Sequence, residues 1–399
     1  MTTTPEICIV LHAYQPPYPA QDPKIVNRIV QNCYDPFFKQ LLAEEKRITL
    51  NINGVLLETL SNDSSSTIDL LKICADEGLI EFLGSGAYHP IFPLLSSKEN
   101  RSQQIKANSE ISKRILGNSY DPQGFFPPEL AVNDWFAREI ADFGFRYMLV
   151  PQNSVPLLHR DLLPYMKSAS SVSKITILPR NRDLSNRIAF RHFGDEISFL
   201  LASLDQIHEA LESPPIIAMD IETFGEHHSG YQAFLFQLLD RCDNLTGSEL
   251  VDQVPDYEIT RLRSSSWSTS DQDLERNPFP LWANPSNAIH SLLGIHFALL
   301  DSAERFLARA AINENKIEAF RLKRLRSQFS CMLWWASGDG RWNPKIIQAG
   351  LEMQRNALRF AIECASNETN NSGLQELRKI SDQILERVEH SLVFHQKHS

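Results

Sequence analysis

Short apolar runs punctuate the first two thirds of the chain, and a stretch with helical spacing follows most of them. The runs are EICIVLHA (6–13), RITLNING (47–54), LIEFLGSG (79–86), GFFPPEL (124–130), RYMLVP (146–151), KITILPR (174–180), PPIIAMDIE (214–222) and YEITRLRSSSW (257–267). Alternation of such runs with helical patterns predicts an α/β protein with a mostly parallel sheet wrapped by helices. Seven or eight strands of this kind predict a barrel. Between strands, VNDWFAREIADFG sets Trp135, Ile140 and Phe143 at helical spacing, with Gly144 as the stop.

From about residue 285 the pattern becomes that of amphipathic helix. Ile289, Leu292, His296, Leu299, Ala303 and Phe306 fall on one stripe, and Leu377, Ile380, Ile384 and Val388 repeat it near the end of the chain. The expected organisation is therefore a barrel over 1–284 and a helical bundle over 285–399. NETNNSG (367–373) reads as a polar loop before the final helix.

The apolar runs share an ending. CIVL stops at His12, LIEFLGSG leads to Tyr88 and His89, GFFPP stops at Glu129, and PIIAM drives without a polar spacer into Asp220 and Glu222. In a parallel barrel the C-terminal strand ends lie on one face, where active sites are built, so residues distant in sequence are expected to converge there.

Composition narrows the chemistry. A chain of 399 residues that is 42% hydrophobic buries a full core, and a formal charge of -10 argues against nucleic acid as the partner. The N-terminus MTTTPEICIV lacks the pattern of a secretory signal, and no apolar run has the roughly 18 residues needed to span a bilayer, so no membrane is expected and cytoplasm is the expected compartment. Six scattered cysteines without a C-x-x-C pair argue against a zinc ribbon and against a disulfide scaffold. The adjacent histidines of EHHSG cannot both face one site on a regular strand.

Two of the strand-end residues, Glu129 and Asp220, are carboxylates on separate strands. Glycoside hydrolysis uses such a pair, set about 5–5.5 Å apart in retaining enzymes and about 6.5–9.5 Å apart in inverting ones. Apolar neighbours such as Phe126 or Phe224 would raise the pKa of whichever carboxyl keeps its proton. Taken singly, a strand-end carboxylate is more often a cap or an ion-pair partner, and paired tryptophans such as Trp334 and Trp335 are more often core.

Together these stretches resemble glycoside hydrolase family 57. LHAYQP (11–16) is similar to its first motif, GLIEFLGSGAYHPIFPLL (78–95) to its second, GFFPPELAV (124–132) to its third, MDIETFG (219–225) to its fourth and SCMLWW (330–335) to its fifth. The resemblance implies an incomplete (β/α)7 TIM-like barrel followed by a C-terminal helical domain, and a retaining enzyme of α-amylase or 4-α-glucanotransferase type acting on an α-glucan oligo- or polysaccharide. By the same resemblance Glu129 is the nucleophile and Asp220 the general acid/base. The expected substrate-binding residues are His12, Gln15, Glu81, Tyr88, His89, Phe126, Glu222, Trp267, Trp334 and Trp335; neither metal nor organic cofactor is implied. Three positions depart from the pattern: Tyr14 stands where histidine is usual, Phe126 where tryptophan is common, and Cys331 where an aspartate holds substrate. A metal-dependent carbohydrate deacetylase and a non-catalytic α-glucan-binding relative are the competing classes.

Overall fold

The structure, a computed structural model, describes residues 4–155, 166–167, 175–194, 197–211, 214–253, 261–310, 312–338, 341–365 and 372–398. Seven strands build a nearly closed parallel barrel: β1 Glu6–Ala13, β2 Ile48–Ile52, β3 Ile80–Gly84, β4 Gly124–Phe125, β5 Tyr147–Pro151, β6 Thr176–Arg180 and β7 Ile216–Asp220. Their order around the barrel is β6-β5-β4-β3-β2-β1-β7, every neighbour parallel. Between β6 and β7 no strand ladder forms among the described residues. Instead Asn181 N–H donates to Ile216 O at 2.7 Å, and the Arg180 side chain donates Nε–H to Ala218 O at 2.8 Å. Two short pairings extend the sheet: Met166–Lys167 runs antiparallel to β6, and Asp243–Asn244 pairs with the start of β1.

Seven of the eight expected strands form where the apolar runs place them. Of the eighth run, residues 257–260 lie outside the described residues; residues 261–267 are irregular apart from one bridge between Ser265 and Val132. β4 is short because Pro127 and Pro128 follow it, and proline has no N–H to continue the ladder.

Side chains on each strand alternate between the barrel interior and the surrounding helices, as a period of two requires. On β1, Ile7, Ile9 and Leu11 pack outward under the helices, while Cys8 and Val10 join Leu83, Tyr147, Leu149, Leu178, Ile216 and Ala218 inside. Continuing that alternation aims His12, Asn51, Arg180 and Asp220 into the barrel at its C-terminal end. Glu81 shares the inward parity of Leu83 but stands near the start of β3, at the opposite end. Tyr147 reaches it through a slot that only glycine permits, since a Cβ at Gly124 would lie 2.1 Å from the Tyr147 ring.

The expected helical stretches form with one shift of face. Helix Asp134–Ala141 buries Phe136, Ala137 and Ile140, whereas Trp135 is 40% exposed beneath the Arg101 guanidinium. The C-terminal region is helical: Ala288–Arg309, Glu314–Arg326, Cys331–Trp334, Pro344–Cys364 and Ser372–His398. Asn287 and Asn343 cap two of these helices with side-chain oxygens that accept backbone N–H groups of the first turn. The region is tied to the barrel through Arg324, which pairs with Asp301 and Glu304 and also reaches Gln103 on the barrel helix Lys98–Leu116.

Candidate active site

Glu129 sits just beyond β4 with φ 59° and ψ 17°, and Leu130 follows with φ 47°. His89, beyond β3, has φ 56°. Five non-glycine residues have positive φ among the described residues, and these are three of them, so backbone strain is concentrated at one place. A left-handed non-glycine residue costs roughly 1–3 kcal/mol. Burying the Leu130 side chain, 0% exposed, contributes a similar ~1.5–3 kcal/mol and holds the kink. Backbone bonds reinforce it, with Leu130 N–H donating to Pro127 O at 2.8 Å and Trp267 N–H to Glu129 O at 3.1 Å.

Both oxygens of Glu129 are addressed. Trp267 Nε1–H donates to Oε2 at 2.8 Å, and Ser330 Oγ lies 3.0 Å from Oε1. Ser330 belongs to the helical region, just before helix Cys331–Trp334, and its backbone N–H donates to His89 O at 3.0 Å. The His89 ring contacts the same hydroxyl through Nδ1 at 2.8 Å and lies 3.8 Å from Glu129 Oε1.

Aromatic rings line one side. Phe126 stacks on His12 at 4.8 Å and 7°, His12 on His89 at 4.9 Å and 24°, and His89 on Tyr14 at 3.8 Å and 10°. Trp267 meets His12 and Phe126 edge-on. The Tyr14 hydroxyl is buried beside the Cys331 thiol without a hydrogen bond of normal geometry, so two of the three departures from the family pattern are neighbours in space.

Asp220 ends β7 directly beside His12 in the β1–β7 register. Its side chain has no hydrogen-bond partner among the described residues; its electrostatic neighbours are Arg180, Glu129 and Glu222. Glu222, two residues on, accepts from Tyr34 Oη and from Gln15 Nε2 at 2.9 Å, and Gln15 in turn accepts from Gln21 at 2.6 Å. Burial raises all three acids. Glu129 is pushed up to about 8 by burial and then by the Asp220 charge, with Ser330 and Trp267 pulling the other way. Asp220 rises to about 6 by burial, opposed by the Arg180 cation. Glu222 rises to about 8, by burial and again by Asp220. Three acids share a space in which their charges repel, so the group retains protons near neutral pH.

Eight expected site residues thus converge with Glu129 and Asp220 at their centre: His12, Gln15, His89, Phe126, Glu222 and Trp267 join them. Two do not. Glu81 is held at the far end of the barrel, where Tyr147 Oη donates to it at 2.6 Å and Ser248 Oγ at 2.7 Å, because its position at the start of β3 precludes reaching the rim. Tyr88 is core: it is fully buried, its hydroxyl bonds Glu58 at 3.3 Å and Arg326 lies over its ring at 5.8 Å, since the left-handed turn at His89 sends the two side chains different ways. Trp334 and Trp335 are half-buried on the helical region, perpendicular at 4.6 Å, with Arg341 over Trp334 at 5.4 Å.

Asn51, Arg180 and Ser330 also reach the site. Asn51 and Arg180 were readable as polar residues at inward positions near the C-terminal ends of their strands; Ser330 opens the SCMLWW motif, but neither charge nor a strand end singled it out there. His228 of the EHHSG stretch is occupied by Ala189 O at 3.0 Å. Among the described residues, no group of three His, Cys, Asp or Glu side chains is arranged to hold a metal ion, and no helix is long and apolar enough to cross a membrane.

Residues 14–258 match the profile of Glycosyl hydrolase family 57. The chain belongs to this family. Within it, the chain is similar to a putative alpha-amylase of Methanocaldococcus jannaschii, 24% identical over 271 residues that make up 63% of this chain and 57% of that protein. It is also similar to a 4-alpha-glucanotransferase of Thermococcus litoralis, 24% identical over 172 residues, 42% of this chain and 25% of that one. The matches to these curated relatives therefore span at most 57% of their length. The fold extends further: a family 57 branching enzyme from Thermococcus kodakaraensis superposes with a TM-score of 0.71 at 16% identity, covering 95% of this chain and 94% of that one. The crystal structure of the Thermococcus litoralis 4-alpha-glucanotransferase gives 0.69 at 17% identity, covering 90% and 60%.

Proposed function

We propose that this family 57 chain is a retaining glycoside hydrolase or transglycosylase acting on α-glucans, of α-amylase or 4-α-glucanotransferase type, working in the cytoplasm on an oligo- or polysaccharide. Two units cooperate in this reading, a catalytic barrel over 1–284 and a helical domain over 285–399 that lends Ser330 to the site. The observation that carries the proposal is the pair of acids at the ends of β4 and β7, Glu129 buried and Asp220 partly so, with the Asp220 charge raising Glu129 at the C-terminal rim of one barrel.

The chemistry is double displacement. Glu129 attacks the anomeric carbon as its carboxylate while Asp220 gives its proton to the departing oxygen; Asp220 then removes a proton from water or a sugar hydroxyl, which resolves the glycosyl ester. The pair holds one proton between about pH 6 and about pH 8. Burial favours that proton on Glu129, and attack proceeds from the arrangement that carries it on Asp220. Arg180 stays close to Asp220 as counter-charge, and Gln15 and Glu222 supply polar contacts to the sugar around the bond, while His12 and His89, expected to do the same, have all four ring nitrogens engaged by Asn51, Ser330 and each other and back the site instead. Phe126 and Trp267 pack against His12 beside the acids.

Trapping tests this directly. A slow fluorinated maltooligosaccharide donor should leave one sugar covalently on Glu129, located by peptide mass, and wild type but not Glu129→Ala should release hydrolysis or transfer products from maltooligosaccharides with retained configuration. Binding of glucans without turnover by wild type would instead favour a non-catalytic relative.

A further inference from the structure

A line of hydrogen bonds runs from the second strand to the reacting carboxylate. Asn51 Oδ1 meets His12 Nδ1 at 2.7 Å, His12 Nε2 meets His89 Nε2 at 3.0 Å, His89 Nδ1 meets Ser330 Oγ at 2.8 Å, and Ser330 Oγ meets Glu129 Oε1 at 3.0 Å. Every member is buried. Burial keeps both imidazoles neutral: His12 is lowered to about 4, and His89 falls well below its usual value, first by burial and then by His12. Each ring therefore carries a single N–H, and the serine has one proton to donate.

Those counts allow two complete arrangements. In the first, Glu129 is protonated and donates to Ser330, Ser330 donates to His89 Nδ1, His89 Nε2–H donates to His12, and His12 Nδ1–H donates to Asn51 Oδ1. In the second, every bond is reversed: Asn51 Nδ2 donates to His12, His12 Nε2–H to His89, His89 Nδ1–H to Ser330, and Ser330 to the Glu129 carboxylate. Passing from first to second releases one proton from Glu129 to solvent; each ring keeps one N–H, on its other nitrogen. Asn51 presents Oδ1, as in the first arrangement, while Ser330 is placed to donate to Glu129, as in the second; Asn51 Nδ2 is buried with no partner, so turning the amide over breaks no other bond.

We propose that Ser330, His89, His12 and Asn51 form one directional hydrogen-bond chain whose polarity reverses with the protonation of Glu129, making Ser330 and Asn51 positioning residues for that carboxylate. The inference rests on the reading of Glu129 as nucleophile: only the second arrangement leaves a carboxylate that is both charged and aimed. Of the other groups near Glu129, the indole, the phenol and the thiol do not titrate with the chain, whereas Asp220 near 6 and Glu222 near 8 ionise close to the same range. Trp267 Nε1–H donates in both states; Tyr14 and Cys331 stay neutral, the thiol raised to about 12 by burial and then by Glu129. Asp220 acts on Glu129 by its charge, and is itself balanced by Arg180 and faces Glu222.

Selective ¹⁵N labelling of histidine in the full chain tests the proposal, because the nitrogen shifts separate protonated from bare ring nitrogens. With resonances assigned by single His→Gln variants, His12 and His89 should exchange tautomer together, without becoming imidazolium, over the pH range in which Glu129 ionises, near 8. Glu129→Gln and Ser330→Ala should each abolish the exchange. Ser330→Ala should also lower kcat about tenfold with KM little changed, and Ser330→Thr, which keeps the hydroxyl, should restore it. Tautomers that stay fixed while Glu129 titrates, or that exchange in Ser330→Ala as in wild type, would overturn the chain. Failure of the nucleophile reading appears elsewhere, as turnover in Glu129→Ala or the absence of a trapped sugar, and leaves the tautomer result readable.

Discussion

Asp301 and Glu129 are both buried carboxylates in this molecule, and burial pushes both upward, yet their surroundings follow opposite rules. Asp301, where the helical region meets the barrel, has an opposite charge against it: Arg324 pairs with it at 2.5 Å, Asn100 donates at 2.9 Å, and Ser96 donates at 3.3 Å. Glu129, at the barrel rim, faces a like charge on Asp220 and is held by two neutral donors on a left-handed backbone. The first cluster is a clamp built on attraction to Arg324, with Glu304 as the smallest of the influences on Asp301 and of like charge. The second stores repulsion and strain, which the surrounding packing holds in place. A carboxylate balanced by a cation has little reason to attack a sugar, and one that faces a like charge destabilises the fold that carries it.

The comparison can be tested at both ends. Replacing Asp220 by Asn removes the proton donor, and turnover of maltooligosaccharides should fall about 10³-fold or more while the melting temperature holds or rises; loss of stability alongside activity would mean that the rim is a clamp too. Asp301→Ala leaves Arg324 buried without its nearest acid, and urea unfolding should show a loss of about 3–5 kcal/mol. A neutral result there would deny the clamp its role.

Glu129→Gln should stabilise the protein, and more so as pH rises. The folded pKa of Glu129 is raised, so its contribution to stability is present below the unfolded value and is lost as pH climbs through about 8; glutamine avoids that loss. Each pKa unit is worth about 1.4 kcal/mol, so the gap between variant and wild type should widen by a few kcal/mol between pH 5 and pH 9 in thermal melts. The mildest prediction concerns rate: kcat/KM should be bell-shaped, with limbs near 6 and 8, because the Glu129–Asp220 pair must hold one proton. Trp267→Phe removes a donor that lowers Glu129, so its alkaline limb should move up; an unmoved limb would separate the indole from the carboxylate.

How much of this was legible before folding depends on the kind of signal. His12, Glu129 and Asp220 announced themselves because each ends an apolar run, and a strand buried on both faces leaves a polar residue no place except the rim. The same logic marks Asn51 and Arg180, polar residues at inward positions of β2 and β6, although neither stands out by composition. Glu81 carried the motif but not the position: it begins its strand instead of ending it, and that difference of a few residues moves it the length of the barrel to Tyr147 and Ser248. Tyr88 and His89 are adjacent, and only the left-handed turn at His89 separates the one that packs in the core from the one that faces the acids.

The order of apolar runs, their period and their proline and glycine stops determined the strands, the helical C-terminal region and the family motifs, because those features depend on neighbours within a few residues. Tertiary structure alone decided that Ser330, two hundred residues beyond Glu129, completes its hydrogen bonding, that Tyr14 lies against Cys331, and that three acids share one buried space. Those outcomes depend on which strand ends close on one another and on the loss of water between them, and a desolvated charge is set by everything around it in space.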